Sequence, residues 1–371
     1  MTDGDSLRRR PSGGLSRAAF LGAAALSALF LSGCYVTTQG FRYLGLRSRA
    51  RPLERVLADP ASPEAERGLV LRAERVRAFA FSELGLKETK NYRSLVRLDA
   101  DRLATVVQAC AELSFDRHLW SYPLVGKLPY KGFFRPEEAE KEAAARRAEG
   151  LDVIVRPVDA FSTLGWLSDP LFSFMSSYSE AELADLVIHE LCHATAYAKG
   201  AGDWNEELAT FVGREGADRY LTSLEGSDSP ALAEARLARR EAEAFASFLR
   251  GTAEELEAVY ASGLPAEEAR ARKAEVIAAR AALFARDYDS LFRTARYEAF
   301  PMERLNNAYL DLYRLYEGEP GLYADYLSKV SGGDLRRFVA DMARLAKEAK
   351  GKGGPKEEMR RALETEAGLA P

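Results

Sequence analysis

The sequence predicts an α+β fold that is predominantly helical. Three observations carry that expectation. From Pro52 to about Leu113, and again from about Ala181 onward, apolar residues recur at helical spacing. Between residues 119 and 163 the character changes: LWSYPLVGKLPYKGFF is rich in aromatics, glycine and proline, and LDVIVRPVDAFST opens on a β-branched alternation, so a small sheet is expected there. Finally, 47% of the 371 residues are apolar and 29% charged, an ordinary globular balance in a chain long enough to bury a sizeable core. The formal net charge of -4 gives no reason to expect nucleic acid as a partner.

Taken in order, residues 1–33 read as an export signal rather than as fold. Arg8, Arg9, Arg10 and Arg17 precede an uncharged apolar run over 18–32, shorter than the roughly 20 apolar residues that a membrane-spanning helix needs. The run ends in Leu31-Ser32-Gly33-Cys34, which resembles the lipobox of bacterial lipoproteins. That resemblance implies cleavage before Cys34, a lipid anchor on its thiol and attachment to the bacterial cell envelope. Tyr35 stands where an aspartate would retain such a protein, which implies the periplasmic face of the outer membrane. An ordinary signal peptide or a short membrane anchor is the other reading. Cys110 and Cys192 then remain, either as one disulfide or as two buried thiols.

Residues 34–50 read as a tether and 51–348 as the folded domain. Pro60 and Pro63 separate its first helices, and a further helical stretch is expected around LDADRLATVVQACAEL. Residues 136–150 are charged and alanine-rich, hence helix. The strand near Asp152 to Pro157 is expected at a sheet edge, open to an extended peptide, with Phe161 to Trp166 as a candidate cleft wall. Residues 231–288 form a long helical hairpin that turns at Gly263-Leu264-Pro265 and carries a solvated charged face, and 349–371 form a mobile tail.

The chemistry lies in one further helix, on which the small sheet of 120–160 is expected to pack. Ser179 and Glu182 make a capping box, and Gly200 supplies a stop, so the helix should run from 180 to 199. Leu183, Val187, Leu191, Ala194 and Ala198 form its apolar stripe. Between Asp185 and Lys199 the ionisable carboxylate and imidazole groups are His189, Glu190 and His193. Burying them is costly unless they are paired or serve a metal. His189 and His193, one turn apart, share a face and suit two corners of a tetrahedral zinc site, while Glu190 stands beside them within reach of a metal-activated water. This is the HExxH pattern, and two of the chain's three histidines fall inside it. The third, His118, has no motif context and reads as structural.

A third protein ligand is needed. Asn205-Glu206-x-x-Ala209 resembles the Asn-Glu-x-x-Ala segment of gluzincin aminopeptidases, whose glutamate is that ligand, which assigns Glu206. The rival reading makes Asp203 and Glu206 a helix-capping box and leaves Glu207 as the ligand. The spacer from His193 to Glu206 is shorter than in the best-known gluzincins and requires a tight turn over Lys199-Gly200-Ala201-Gly202.

The likeness widens beyond the motif. IHELCHATAYAKG, NEELATFVGREGADRYL, LPYKGFF, DAFSTLGWLSDPLFSFM, the opening RPLERVLADP and LNNAYL resemble the bacterial family of predicted zinc aminopeptidases, many of them lipoproteins, from about Arg51 to Tyr309. The resemblance implies a zincin-like domain, zinc as cofactor, a peptide substrate and aminopeptidase activity. Family members often carry alanine at Cys192, a position off the metal face. On this reading zinc activates water, Glu190 is the general base, and Tyr197, Tyr309 and Tyr313 are candidate oxyanion donors. An aminopeptidase also needs a carboxylate near the metal to hold the substrate's free amine, and the sequence does not identify it. Two other readings use the same residues: an outer-membrane-anchored binding or assembly protein with a structural zinc, and a zinc hydrolase of a non-peptide amide.

Overall fold

The structure, a computed structural model, describes residues 38–122, 126–158, 168–314, 318–348 and 354–368. The signal expected over 1–33, the anchor Cys34 and the segment Phe161 to Trp166 lie outside them. Along the chain come α1 (38–47), β1 (Arg51–Pro52), α2 (Leu53–Ala58), α3 (Glu64–Ser82), β2 (Ser94–Val96), β3 (Ala104–Ala111), β4 (Trp120–Tyr122), β5 (Gly126–Leu128) and β6 (Tyr130–Phe133). Then follow α4 (Pro136–Ala148), β7 (Leu151–Val158), β8 (Leu171–Phe172), α5 (Glu180–Thr195), α6 (Gly202–Glu225), α7 (Pro230–Ala261) and α8 (Ala266–Leu291). The chain ends with α9 (Asn307–Arg314), α10 (Pro320–Asp325), α11 (Leu335–Glu348) and α12 (Gly354–Glu366). Helices dominate and the strands make small sheets, so the fold is α+β and predominantly helical, as expected.

One sheet has the order β6-β3-β7, antiparallel throughout, with Val107 opposite both Lys131 and Val155. Its central strand β3 occupies a stretch that the sequence assigned to a helix. The reason is burial on both faces: Ala104 to Val107, Ala109 and Cys110 are all buried, so no polar positions mark the period of two. Ala139 and Ala143 of α4 close over Val107, Ala109 and Val153, and α9 lies against the same two strands. β7 is an edge strand, as expected.

That sheet is not what α5 rests on. The helix buries Leu183, Ala184, Val187, Ile188, Leu191 and Cys192, more than one stripe, and it is covered by α3 and α6. The sheet that shares its core is the three-stranded β1-β2-β8, through Leu95, Val96, Leu171 and Phe172.

Two segments at the ends of the folded region dock rather than trail. Within the stretch read as a tether, α1 fixes both Arg42 guanidinium nitrogens on Glu138 at 2.7 Å, and its Tyr43 hydroxyl donates to Asp169. Within the stretch read as a mobile tail, α12 buries Met359 completely and pairs Lys356 with Glu207 at 2.9 Å and Arg360 with Glu319 at 2.8 Å. Both dock through ion pairs to distant elements, which leave no local periodicity to read.

The hairpin forms as expected, turning at Gly263 with φ 73°. Phe245, Leu249 and Leu256 of α7 meet Val276, Ile277 and Phe284 of α8 in a second core. Asn307, fully buried, ties that core to the sheet. Its backbone N–H donates to Asp152, its amide donates to the carbonyls of Ala111, Glu112 and Ser114, and its oxygen accepts from the Tyr260 hydroxyl. Asn307→Ala keeps the backbone bond to Asp152 but removes the side-chain bonds to the Ala111 and Ser114 carbonyls and the Tyr260 hydroxyl, so a loss of about 2–4 kcal/mol is expected. The urea midpoint should fall at unchanged m-value; a midpoint equal to wild type would contradict this role.

Candidate metal centre

The site is built from α5, the turn after it and α6. Ser179 caps α5 as expected: its hydroxyl accepts from the Glu182 N–H at 3.2 Å, and the Glu182 carboxylate accepts from the Ser179 N–H at 2.8 Å. The helix stops at Thr195, four residues before the expected end. The cause is Asn205, which is buried and clamps the turn. Its oxygen accepts from the Ala198 N–H at 2.8 Å and its amide donates to the Ala198 carbonyl at 3.0 Å. With the chain held there, Gly200 at φ 82° completes the reversal and α6 begins at Gly202.

No side chain caps the start of α6, so the Asp203–Glu206 capping box does not form. Glu206 turns towards the histidines and Glu207 turns away, accepting from the Tyr323 hydroxyl at 3.1 Å and from Lys356. Helical phase explains the split. Glu206 lies on the side of α6 that carries Gly213, two turns on, while Glu207, Thr210, Phe211 and Arg214 line a cleft of about 510 Å³ on the other side.

Gly213 and Gly216 let α6 lie directly on α5. A Cβ at Gly213 would stand 2.4 Å from Asp185 Oδ1 and 3.2 Å from His189 Cβ; one at Gly216 would stand 2.9 Å from both Ile188 and Leu84. A three-helix tie reinforces the contact: the Glu180 carboxylate accepts from Tyr220 of α6 at 2.7 Å and from Arg75 of α3 at 3.2 Å.

Three side chains converge as a result. His189 Nε2 and His193 Nε2 are 3.1 Å apart, and the Glu206 carboxylate oxygens are 3.7 and 3.6 Å from them, ion-pair distances too long for hydrogen bonds. Among the described residues this is the group of His, Cys, Asp and Glu able to hold a metal ion. The imidazoles are mostly covered, with about a fifth of each exposed (22% and 20%), whereas Glu206 is open.

Two imidazole nitrogens so close need a cation between them or a proton on one. Burial pulls both towards neutrality, but at His189 the Glu206 and Glu190 carboxylates, with Asp185, prevail and hold the group above its ordinary value. His193 is left below its ordinary value by burial and by the His189 charge. Glu206 is held below the usual carboxylate range, first by His189, with burial opposing and His193 assisting. Glu190 is pushed up by burial, with Asp169 and Glu206 adding and His189 opposing. Among the described residues its carboxylate has no hydrogen-bond partner. Asp185, one turn before His189, is pushed up by burial, with Arg239, Arg214 and His189 opposing.

The remaining expected residues lie elsewhere. Tyr197 is exposed, and Tyr309 and Tyr313 pack in the second core against Phe300 and Phe245. Cys192 faces the first core, its thiol pushed up to about 12 by burial, and Cys110 is likewise a buried free thiol. His118 meets the Trp120 ring edge to face. What the sequence reading lacked was the clamp by Asn205 and the glycine notch. Gly213 and Gly216, three apart and so on one face of a helix, were the signal for the notch.

A two-helix unit thus converges two imidazoles and a carboxylate, a group that could hold a metal ion, next to the glutamate that follows the first histidine. The chain belongs to the family described as "Putative aminopeptidase", which matches residues 34–355. That membership supports a peptidase. No curated protein and no solved structure matches the chain.

The notch yields a test. Gly213→Ala should push Asp185 and His189 off α6, cost about 1–3 kcal/mol and weaken metal binding about tenfold or more, read by chelator competition. Gly68→Ala, with nothing within 4 Å of the added Cβ, is the control and should leave affinity unchanged. Equal affinity in both variants would contradict the notch's role.

Proposed function

We propose that the protein is a zinc-dependent aminopeptidase in which His189, His193 and Glu206 hold the metal and Glu190 is the general base. The observation that carries this reading is the convergence of the donors: the two Nε2 atoms stand 3.1 Å apart, one Glu206 oxygen is 3.6 Å from His193 and the other is 3.7 Å from His189. Donors about 2.0–2.2 Å from one zinc at tetrahedral angles stand roughly 3.3–3.5 Å apart, close to these values. The donor set itself, two imidazoles and a carboxylate with an exposed side, is that of a catalytic rather than a closed structural zinc site.

When bound, zinc supplies Lewis acidity, which acidifies water and polarises a carbonyl. The chain's own residues supply the rest. Glu190, raised by burial and free of partners among the described residues, accepts the proton of the attacking water and returns it to the leaving amine. Asp185 lies one turn before His189 on α5, and its charge acts on that imidazole. Its Oδ1 and His189 Cβ are 2.4 and 3.2 Å from one point, hence less than 6 Å apart. A carboxylate there favours a cation at the ligand ring through its charge.

Structural zinc normally takes four protein ligands, and among the described residues this cluster offers three, with Cys192 turned into the core. Family membership favours a peptide over a non-peptide amide. The lipobox-like Leu31–Cys34 supports a place for the enzyme: held by a lipid on Cys34 at the periplasmic face of the outer membrane.

The experiment is metal content with peptide cleavage. Wild type should hold about one zinc and cleave peptides. Glu190→Gln should keep the zinc and lose about 10²–10⁴-fold in kcat, whereas Glu206→Gln should lose the zinc and Glu207→Gln should not. A Glu190→Gln variant as active as wild type would sink the proposed mechanism.

A further inference from the structure

The face that α1 turns outward is apolar and uncovered among the described residues. The helix is fixed to the body along its other side, by residues at helical spacing. Gln39 accepts from the Phe134 N–H at 3.3 Å, Arg42 pairs with Glu138 at 2.7 Å, and Tyr43 donates to Asp169 at 3.1 Å. Leu46 packs on the first core, and Arg47 donates to the Ser168 carbonyl. The outward side carries Phe41 and Leu44, one turn apart and 74% and 53% exposed. Phe41 is the most exposed of the large apolar side chains described. Single apolar residues on a surface are ordinary, whereas two adjoining ones on a short, rigidly docked helix make a patch that calls for an occupant.

Chain length says what lies opposite. Cys34 precedes Thr38, the first residue of α1, by four residues, and four residues fully extended reach about 14 Å. A lipid on the Cys34 thiol therefore keeps the start of α1 at the membrane surface. The contacts along its inner side make α1 part of the body, so the body is kept there with it. Among the described residues no helix is long and apolar enough to cross a membrane, and α1, over 38–47, is only about 15 Å long, so the contact runs along the surface. Charge agrees with this. Arg42, Arg49, Arg102 and Arg135 line the cleft beside α1 together with Asp99 and Asp101. With Arg42 on Glu138 and Arg102 on Asp101, Arg49 and Arg135 outnumber Asp99, a balance that suits lipid phosphates.

We propose that the outward face of α1, Phe41 and Leu44 foremost, seats in the headgroup region of a phospholipid bilayer, so that the folded domain rides flush on the membrane instead of hanging from a leash. The inference rests on the reading of Cys34 as a lipid anchor and adds a second, protein-made contact to it. A helix lying in the interface buries its apolar face below the headgroups, and an acyl anchor gains from a second attachment. Because Arg42, Tyr43 and Arg47 tie α1 to Glu138, Asp169 and Ser168, seating that face also sets which side of the domain meets the membrane.

The test uses the full chain, expressed so that it is processed and lipidated, in vesicles of phosphatidylethanolamine and phosphatidylglycerol. A thiol-reactive fluorophore on Leu44→Cys, or on Leu264→Cys at the hairpin turn, reports its surroundings. Cys110 and Cys192 are buried, and Cys34 is taken by the lipid. The label at position 44 should be quenched by lipids brominated on their acyl chains and shielded about fivefold or more from iodide, relative to the label at position 264. Phe41→Ser combined with Leu44→Ser alters only exposed side chains, so the fold should hold while the lipidated protein passes between vesicles about tenfold faster or more. A label at 44 as open to iodide as the label at 264, or an unchanged transfer rate, overturns the seating and leaves the anchor intact. A label at 44 shielded from both quenchers means that protein, a second copy above all, covers the face, and overturns the seating too. A mature protein whose intact mass shows no lipid on Cys34 overturns the anchor reading and the seating together.

Discussion

The direct contact of α5 with α6 at Gly213 is what the rest of the site depends on. A Cβ there would stand 2.4 Å from Asp185 Oδ1 and 3.2 Å from His189 Cβ. Without that side chain the two helices approach closely enough for Glu206, two turns up α6, to stand over the two imidazoles. The turn between them is equally constrained. Asn205 takes both the N–H and the carbonyl of Ala198, ends α5 early and returns the chain at once. Asn205 and Glu206 are neighbours in sequence and divide the work: one fixes the turn, the other faces the cluster. That is why a short spacer between His193 and Glu206 suffices.

Charge balance follows from the same packing. The cluster brings two imidazoles and the Glu206 carboxylate together, with Glu190 next to His189 in the chain, and the charges of Asp185 and Asp169 act on His189 and Glu190. Negative charge exceeds what two imidazoles can offset. The fold holds this arrangement because the surrounding core is extensive, from Leu69 and Val76 of α3 through Leu183 and Ile188 of α5 to Leu208 and Val212 of α6. A cation in the cluster would complete a set of groups that the apolar core has brought together at a cost.

Much of this was legible in the sequence because it is encoded locally. The HExxH spacing, the Ser179–Glu182 capping box, the Gly263 turn of the hairpin and the alternation of β7 are each set by residues within one or two turns of one another. The misreadings share the opposite cause. β3 looked helical because both of its faces are buried, which erases the period. α12 looked like a loose tail because Lys356 and Arg360 find their partners at Glu207 and Glu319, far away in sequence. Glu206 and Glu207 could not be separated until the missing cap on α6 and the Tyr323 contact showed which way each points.

The proposed function requires a zinc ion on His189, His193 and Glu206. Anomalous scattering at the zinc edge from crystals of the protein measures this directly. One strong peak is expected about 2.0–2.2 Å from Nε2 of each histidine and from a Glu206 oxygen, with no fourth protein ligand. A peak bound by Glu207, or by a closed set of four protein ligands, or absent from this cluster in zinc-soaked crystals, would contradict it.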